Sequence, residues 1–114
     1  MEWILPIKTI SEFNKMEHHL RSWKRHKIQK NEIVLWWITE RPVVNMPCTI
    51  KLTRISPRML DDDNLRGAFK WIRDAIADKI RPGFAPGRAD DTEEMKWEYS
   101  QRKGKPQAIK IEIA

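Results

Sequence analysis

Three consecutive aspartates and an asparagine, Asp61-Asp62-Asp63-Asn64, are the residues of this chain best suited to chemistry, and a second acidic pair, Asp90-Asp91, follows them. Adjacent like charges repel unless something neutralises them. One explanation is local: Asp62 or Asp63 caps the helix that follows, and the helix macrodipole favours the other acids. Capping uses one or two residues, so it leaves a third acid and Asp90-Asp91 unexplained. The other explanation is a hard cation. Mg²⁺ takes oxygen ligands and keeps several waters, so two or three carboxylates suffice. Asp61 and Asp63, two apart on an extended segment, point the same way by strand alternation. Asp91 completes such a site if the chain returns across the helix. Mg²⁺ is therefore the expected cofactor, with Mn²⁺ as a substitute. His18-His19 is a poor metal pair, because neighbouring side chains diverge on a helix.

The elements that must position these acids follow from hydrophobic spacing. Residues 2–8 alternate loosely as a strand, with Pro6 marking an edge. Thr9 and Glu12 have capping-box spacing. Phe13, Met16, Leu20 and Trp23 then recur at helical steps, and apolar density returns over residues 33–38. This predicts one long helix or two joined ones, ending before Pro42. Residues 49–55 read as a strand. Leu65, Phe69, Ile72, Ile76 and Ile80 predict a second helix, stopped by Pro82-Gly83. After a loop over residues 82–87, strands are expected at 95–101 and 108–113, joined by a turn around Lys103-Gly104-Lys105-Pro106. The order β-α-β-α-β-β predicts a single α+β domain with a small mixed sheet and two main helices.

On the second helix, Asp63, Gly67, Lys70 and Asp74 have spacing that shares one side. A mid-helix glycine costs about 1 kcal/mol against alanine. Either a phosphate backbone approaches Gly67 closely or another element packs tightly on it. Lys70 either stabilises phosphate charge or pairs with Asp74.

With 114 residues, 40% of them hydrophobic, the chain can build one modest core, which pairing into a homodimer would extend. Lysine and arginine number 22 against 16 acids, for a net charge of +6, which favours phosphate backbones. Arg21, Lys24, Arg25, Lys27 and Lys30 crowd the first helix, either as a solvated face or as a phosphate track. Arg54 and Arg58 flank the aspartates and either offset their charge or grip a nearby phosphate. Trp supplies six of the ten aromatic residues. Such rings fill a small core or stand exposed at a dimer or nucleic-acid surface. Trp36-Trp37 is expected in the core or a dimer interface. The lone Cys48 excludes an intramolecular disulfide framework and suits a reducing cytoplasm. No signal-peptide pattern and no membrane-length apolar stretch is found, so no membrane association is expected.

The string TRISPRMLDDDNLRGAFKWIRDAIADKI, followed by an Asp-Asp pair and two closing strands, resembles the RusA family of Holliday-junction resolvases, above all its short phage and prophage relatives. The matching stretch covers residues 49–113. The family pattern is Asp-x-Asp-Asn-hydrophobic, then a helix with Lys and Asp-Ala-hydrophobic, then Asp-Asp. Here these are Asp61-Asp62-Asp63-Asn64-Leu65, Lys70, Asp74-Ala75-Ile76 and Asp90-Asp91. The family's lysine usually comes sooner after the Asp-Asn pair, where this chain has Gly67. The resemblance implies a homodimeric, Mg²⁺-dependent endonuclease that cuts four-way DNA junctions symmetrically in recombination and repair. It implies that Asp61, Asp63 and Asp91 bind the metal and that Lys70 is the functional lysine. The chemistry implied is metal-assisted phosphodiester hydrolysis. Two other functions stay open at this point. One is a nucleic-acid-binding protein that keeps the fold without cutting. The other is a phosphatase with an Asp-x-Asp nucleophile, which Pro57-Arg58-Met59 disfavours by separating the acids from the apolar strand.

Overall fold

The centre of the molecule is a long strand, β2 (Cys48–Ser56), whose Ile50 and Leu52 are fully buried. In the computed structural model, which describes residues 1–10, 19–82 and 93–114, β2 has a neighbour on each side. On one side β3 (Met95–Lys103) runs parallel to it, and on the other β4 (Ala108–Ile113) runs antiparallel. The outer strand β1 (Glu2–Leu5) pairs antiparallel with β4, giving the order β1-β4-β2-β3. Pro6 follows the last residue of this edge strand, as its missing N–H predicts. The sheet is mixed and the domain is α+β.

Although only a short turn joins them, β3 and β4 do not pair. They flank β2 on opposite sides, so the connector must cross the end of β2. Gly104 makes the crossing: its N–H donates to the Ser56 carbonyl at 3.1 Å. A Cβ at Gly104 would lie 2.9 Å from Ile55 Cγ2, so no larger residue fits without displacement.

One long helix, α1 (His19–Glu40), packs with the later helices on the core side of the sheet. Its inner face carries Gln29, Ile33 and Trp36, spaced i, i+4, i+7 and all buried. It ends at Arg41, which adopts the left-handed conformation (φ 43°) and donates its N–H to the Trp37 carbonyl. Pro42 then blocks continuation. Ile28, Leu35 and Ile38 lie exposed on α1, so this helix is apolar on more than its core face.

The single second helix expected over residues 65–80 is two helices, α2 (Asp62–Ala68) and α3 (Lys70–Ile80). The break is at Phe69 (φ −98°, ψ 0°), whose N–H reaches back to the Arg66 and Gly67 carbonyls. Phe69 is fully buried, and its neighbours Leu65, Ile72 and Ile76 share the core with it. Together α2 and α3 form the crossover that parallel pairing of β2 and β3 requires. Four of the tryptophans, Trp3, Trp36, Trp37 and Trp97, contribute to the core or pack against it. Trp36 meets Trp3 edge-on at 5.2 Å and Trp37 at 5.9 Å. Trp23 and Trp71 stand exposed. Cys48 is buried and free, and burial pushes its thiol pKa up. Among the described residues, no helix is long and apolar enough to cross a membrane.

Candidate functional site

Asp61 to Asp63 sit where the chain leaves the C-terminal end of β2 and enters α2. The turn before them, residues 57–60, is held from two sides. Arg54 Nη1 donates to the Arg58 carbonyl. On the other side, the Gln101 amide clamps Leu60: Oε1 accepts the Leu60 N–H at 2.9 Å and Nε2 donates to the Leu60 carbonyl at 2.6 Å. Arg54 is itself anchored, with Nε donating to Thr9 Oγ1 at 3.0 Å and Nη2 to the Thr9 carbonyl. Thr9 is buried, so this chain of bonds ties the N-terminal segment to the acidic turn.

The expectation that Arg54 grips a phosphate is corrected here. The side chain is 6% exposed and its hydrogen bonds run to neutral oxygens inside the protein. Burial lowers its pKa from the ordinary arginine value, because desolvation penalises the charged form. Arg58 is exposed, in the turn itself.

All three aspartates are exposed. Asp61, rather than Asp62 or Asp63, is the N-cap of α2: Oδ1 accepts the Asn64 N–H at 2.9 Å. Asp62 and Asp63 lie in the first helical turn, where the macrodipole favours acids. Only Asp61 is extended, so strand alternation does not align Asp61 with Asp63. A groove of about 530 Å³ opens beside them, and Asp62 is the aspartate that lines it, with Lys51, Arg66, Glu98, Tyr99 and Ser100. Tyr99 Oη accepts from Arg73 Nη1 at 2.7 Å, and the Arg73 guanidinium lies 5.0 Å from the Trp97 ring centre. Asp90 and Asp91 lie outside the described residues, as do Glu12, Phe13, Met16 and His18. Among the described residues, no group of three or more acidic, His or Cys side chains is arranged to hold a metal ion.

The shared side expected for Asp63, Gly67 and Lys70 is also corrected. Gly67 is buried while Asp63 and Lys70 are exposed, and the break at Phe69 puts Lys70 on a different helix from the other two. Lys70 holds its ammonium 5.2 Å from the Trp71 ring centre. On α1, Arg21, Lys24, Lys27 and Lys30 are exposed, and Arg25 is half-buried.

Several residues of this region escape sequence reasoning. Arg66 follows the acidic string, three residues after Asp63, and its position marks it only as a cation in the first turns of a helix. Lys51 could be read only as a charged residue in a strand. Gln101 left no local signal, since its role depends on β3 returning beside the residue 57–60 turn. Compared with protein-family models, curated proteins and solved structures, the chain matches none.

Proposed function

We propose that the chain is a divalent-metal-dependent endonuclease for branched DNA, working as a homodimer whose two copies cut opposing strands. The observation that carries this reading is the setting of Asp61, Asp62 and Asp63. They are exposed carboxylates at the start of α2, directly after a turn fixed by Arg54 and Gln101 and beside a groove bordered by Lys51 and Arg66. Fixed placement favours catalysis, because small displacements of reacting groups are costly. The donor chemistry suits a hard cation, since every candidate ligand is a carboxylate oxygen. Asp61 keeps Oδ2 beside the oxygen that caps α2.

In this reading Asp61 and Asp63, completed by Asp91, hold Mg²⁺ or Mn²⁺. Such an ion, when bound, would supply activation of a water and stabilisation of the leaving oxygen of a phosphodiester. Lys51 and Arg66 bind the phosphates on either side of the scissile bond, and Lys70 contacts phosphate beyond the helix break. The exposed cations of α1 carry the junction arms. The exposed Ile28, Leu35 and Ile38 support pairing of two copies, since large apolar side chains left in water favour association.

The test is cleavage of a synthetic four-way DNA junction with Mg²⁺. Wild type cuts it, EDTA stops the reaction, and Asp63→Asn abolishes cutting while the folded protein still binds the junction. Undiminished cutting by Asp63→Asn sinks the site assignment. Tight binding with no cutting by wild type instead selects the second reading, a nucleic-acid-binding protein that retains the fold.

A further inference from the structure

A second groove, of about 500 Å³, lies between α1 and α3. Its walls include both exposed tryptophans, Trp23 and Trp71, together with His26, Lys27, Lys30, Asp74 and Asp78. Trp23 is 56% exposed and Trp71 40% exposed. Trp71 is backed by the His26 ring at a centroid distance of 4.3 Å, with the two planes tilted by 31°. Lys27 Nζ lies 5.0 Å from the Trp23 ring centre, and Lys70 Nζ lies 5.2 Å from that of Trp71.

Two large exposed rings on one groove, each with an ammonium group beside it, offer stacking faces next to positive charge. We propose that this groove receives an unpaired base of the DNA substrate, stacked on Trp23 or Trp71, with Lys27, Lys30 and Lys70 holding the phosphates that flank it. Sequence-tolerant stacking on aromatic rings inside a cationic track is how proteins hold single-stranded nucleic acid. The groove is within the range of about 300–1,000 Å³ typical of small-ligand sites, so one nucleotide fits. Lys27 and Lys70 complement a phosphate on either side of the base, and the chain's charge of +6 draws the backbone in. The Asp74 and Asp78 carboxylates on the wall are acceptors with no proton to donate, so they suit the donor edge of an exposed base. This rests on the nucleic-acid reading above but not on cleavage. It adds a reason for the protein to prefer branched or interrupted DNA, because fully paired duplex offers no free base.

The experiment is binding in EDTA, so that no strand is cut. A fluorescein-labelled duplex with a three-nucleotide bulge is compared with the same duplex fully paired, and tryptophan emission is read in parallel with unlabelled DNA. Wild type binds the bulged duplex about tenfold more tightly than the paired one, and the bulge quenches tryptophan emission. Trp23→Leu or Trp71→Leu removes that preference but leaves binding to paired duplex unchanged, and Trp23→Phe restores part of it. Circular dichroism establishes that each variant is folded. Should the Trp71 change prevent folding, Lys27→Gln replaces it, with a smaller loss of the same preference. Equal binding of bulged and paired DNA by wild type overturns the proposal. So does a preference that survives both leucine variants, or unchanged tryptophan emission, which would point to a peptide as occupant. Wild type that shows the bulge preference in EDTA but cuts no junction with Mg²⁺ overturns the nuclease reading and leaves this one standing.

Discussion

Arg54 is the residue whose role the surroundings decide. A guanidinium on β2 beside an acidic cluster has the chemistry of a phosphate clamp. In its actual place, buried and bonded to Thr9 and to the Arg58 carbonyl, it is a strut between the N-terminal segment and the turn that presents Asp61. Hydrogen bonds to a buried charged group contribute about 1.5–3 kcal/mol each to stability. Arg54→Ala is therefore expected to lower unfolding stability by about 2–3 kcal/mol in urea titrations. Arg54→Lys recovers only part of this, because an ammonium cannot reproduce the planar fork. DNA binding by the folded fraction of either variant should keep the wild-type salt dependence. A flattened salt dependence would show that Arg54 contacts phosphate after all. Gln101 belongs to the same machinery: with both ends of its amide on Leu60, it fixes the turn from the β3 side. Asp61 shows that two explanations of one residue need not compete, since a carboxylate can cap α2 with Oδ1 and keep Oδ2 for another partner.

At the scale of elements, the crossing of β2 by the β3–β4 connector is a close fit at Gly104. A methyl at Gly104 would meet the branched Ile55 side chain, which is itself buried and cannot swing away. Gly104→Ala should cost about 1–3 kcal/mol by overpacking, read from thermal or urea unfolding. A neutral result would mean that the connector has slack. At the β1 edge, Glu2 and Glu112 face each other across the strand pair, an unfavourable placement of like charges. Lys110 resolves it, with Nζ 3.0 Å from Glu2 Oε2 and 3.6 Å from Glu112 Oε1. The Glu2 hydrogen bond, foremost among the causes, raises the Lys110 pKa above 10.5. A raised lysine pKa contributes stability that is fully present below the unfolded value and is lost as pH climbs through the folded one. Wild type should thus be more stable than Lys110→Met at neutral pH. The gap should close as pH rises beyond 10.5 and Lys110 loses its proton. Such pairings explain which parts of the fold were legible beforehand. Strands, the long helix and the apolar stripe of Leu65, Phe69, Ile72 and Ile76 follow from local periodicity, and all appear. The break at Phe69, the insertion of β4 between β1 and β2, and the burial of Arg54 arise from contacts between distant segments, which periodicity does not encode. The acidic turn was legible as a cluster, but its geometry was not, because helix capping changed the direction of Asp61 relative to Asp63.

For the whole molecule, the governing quantity is the distribution of its positive charge. A net +6 on 114 residues attracts any polyanion, so attraction alone does not argue for a specific surface. What separates a phosphate track from a merely solvated basic helix is how much each lysine contributes to counterion release. Each phosphate neutralised by a cation adds about 0.9 to the slope of log affinity against log salt concentration on duplex DNA. Lys24 and Lys27 are exposed on α1, and Lys27 also borders the tryptophan groove. If α1 carries the DNA arms, Lys24→Gln combined with Lys27→Gln should lower the magnitude of that slope by about 2. The same pair of changes should leave unfolding stability close to wild type, since both side chains are exposed. Lys96→Gln, at an exposed position at the end of β3 opposite the acidic turn, supplies the control. If it changes the slope as much per lysine as the α1 pair does, the attraction is diffuse and α1 is no track. If only the α1 pair changes it, the long helix is the surface on which the substrate lies, and its path runs along the wall that holds Trp23.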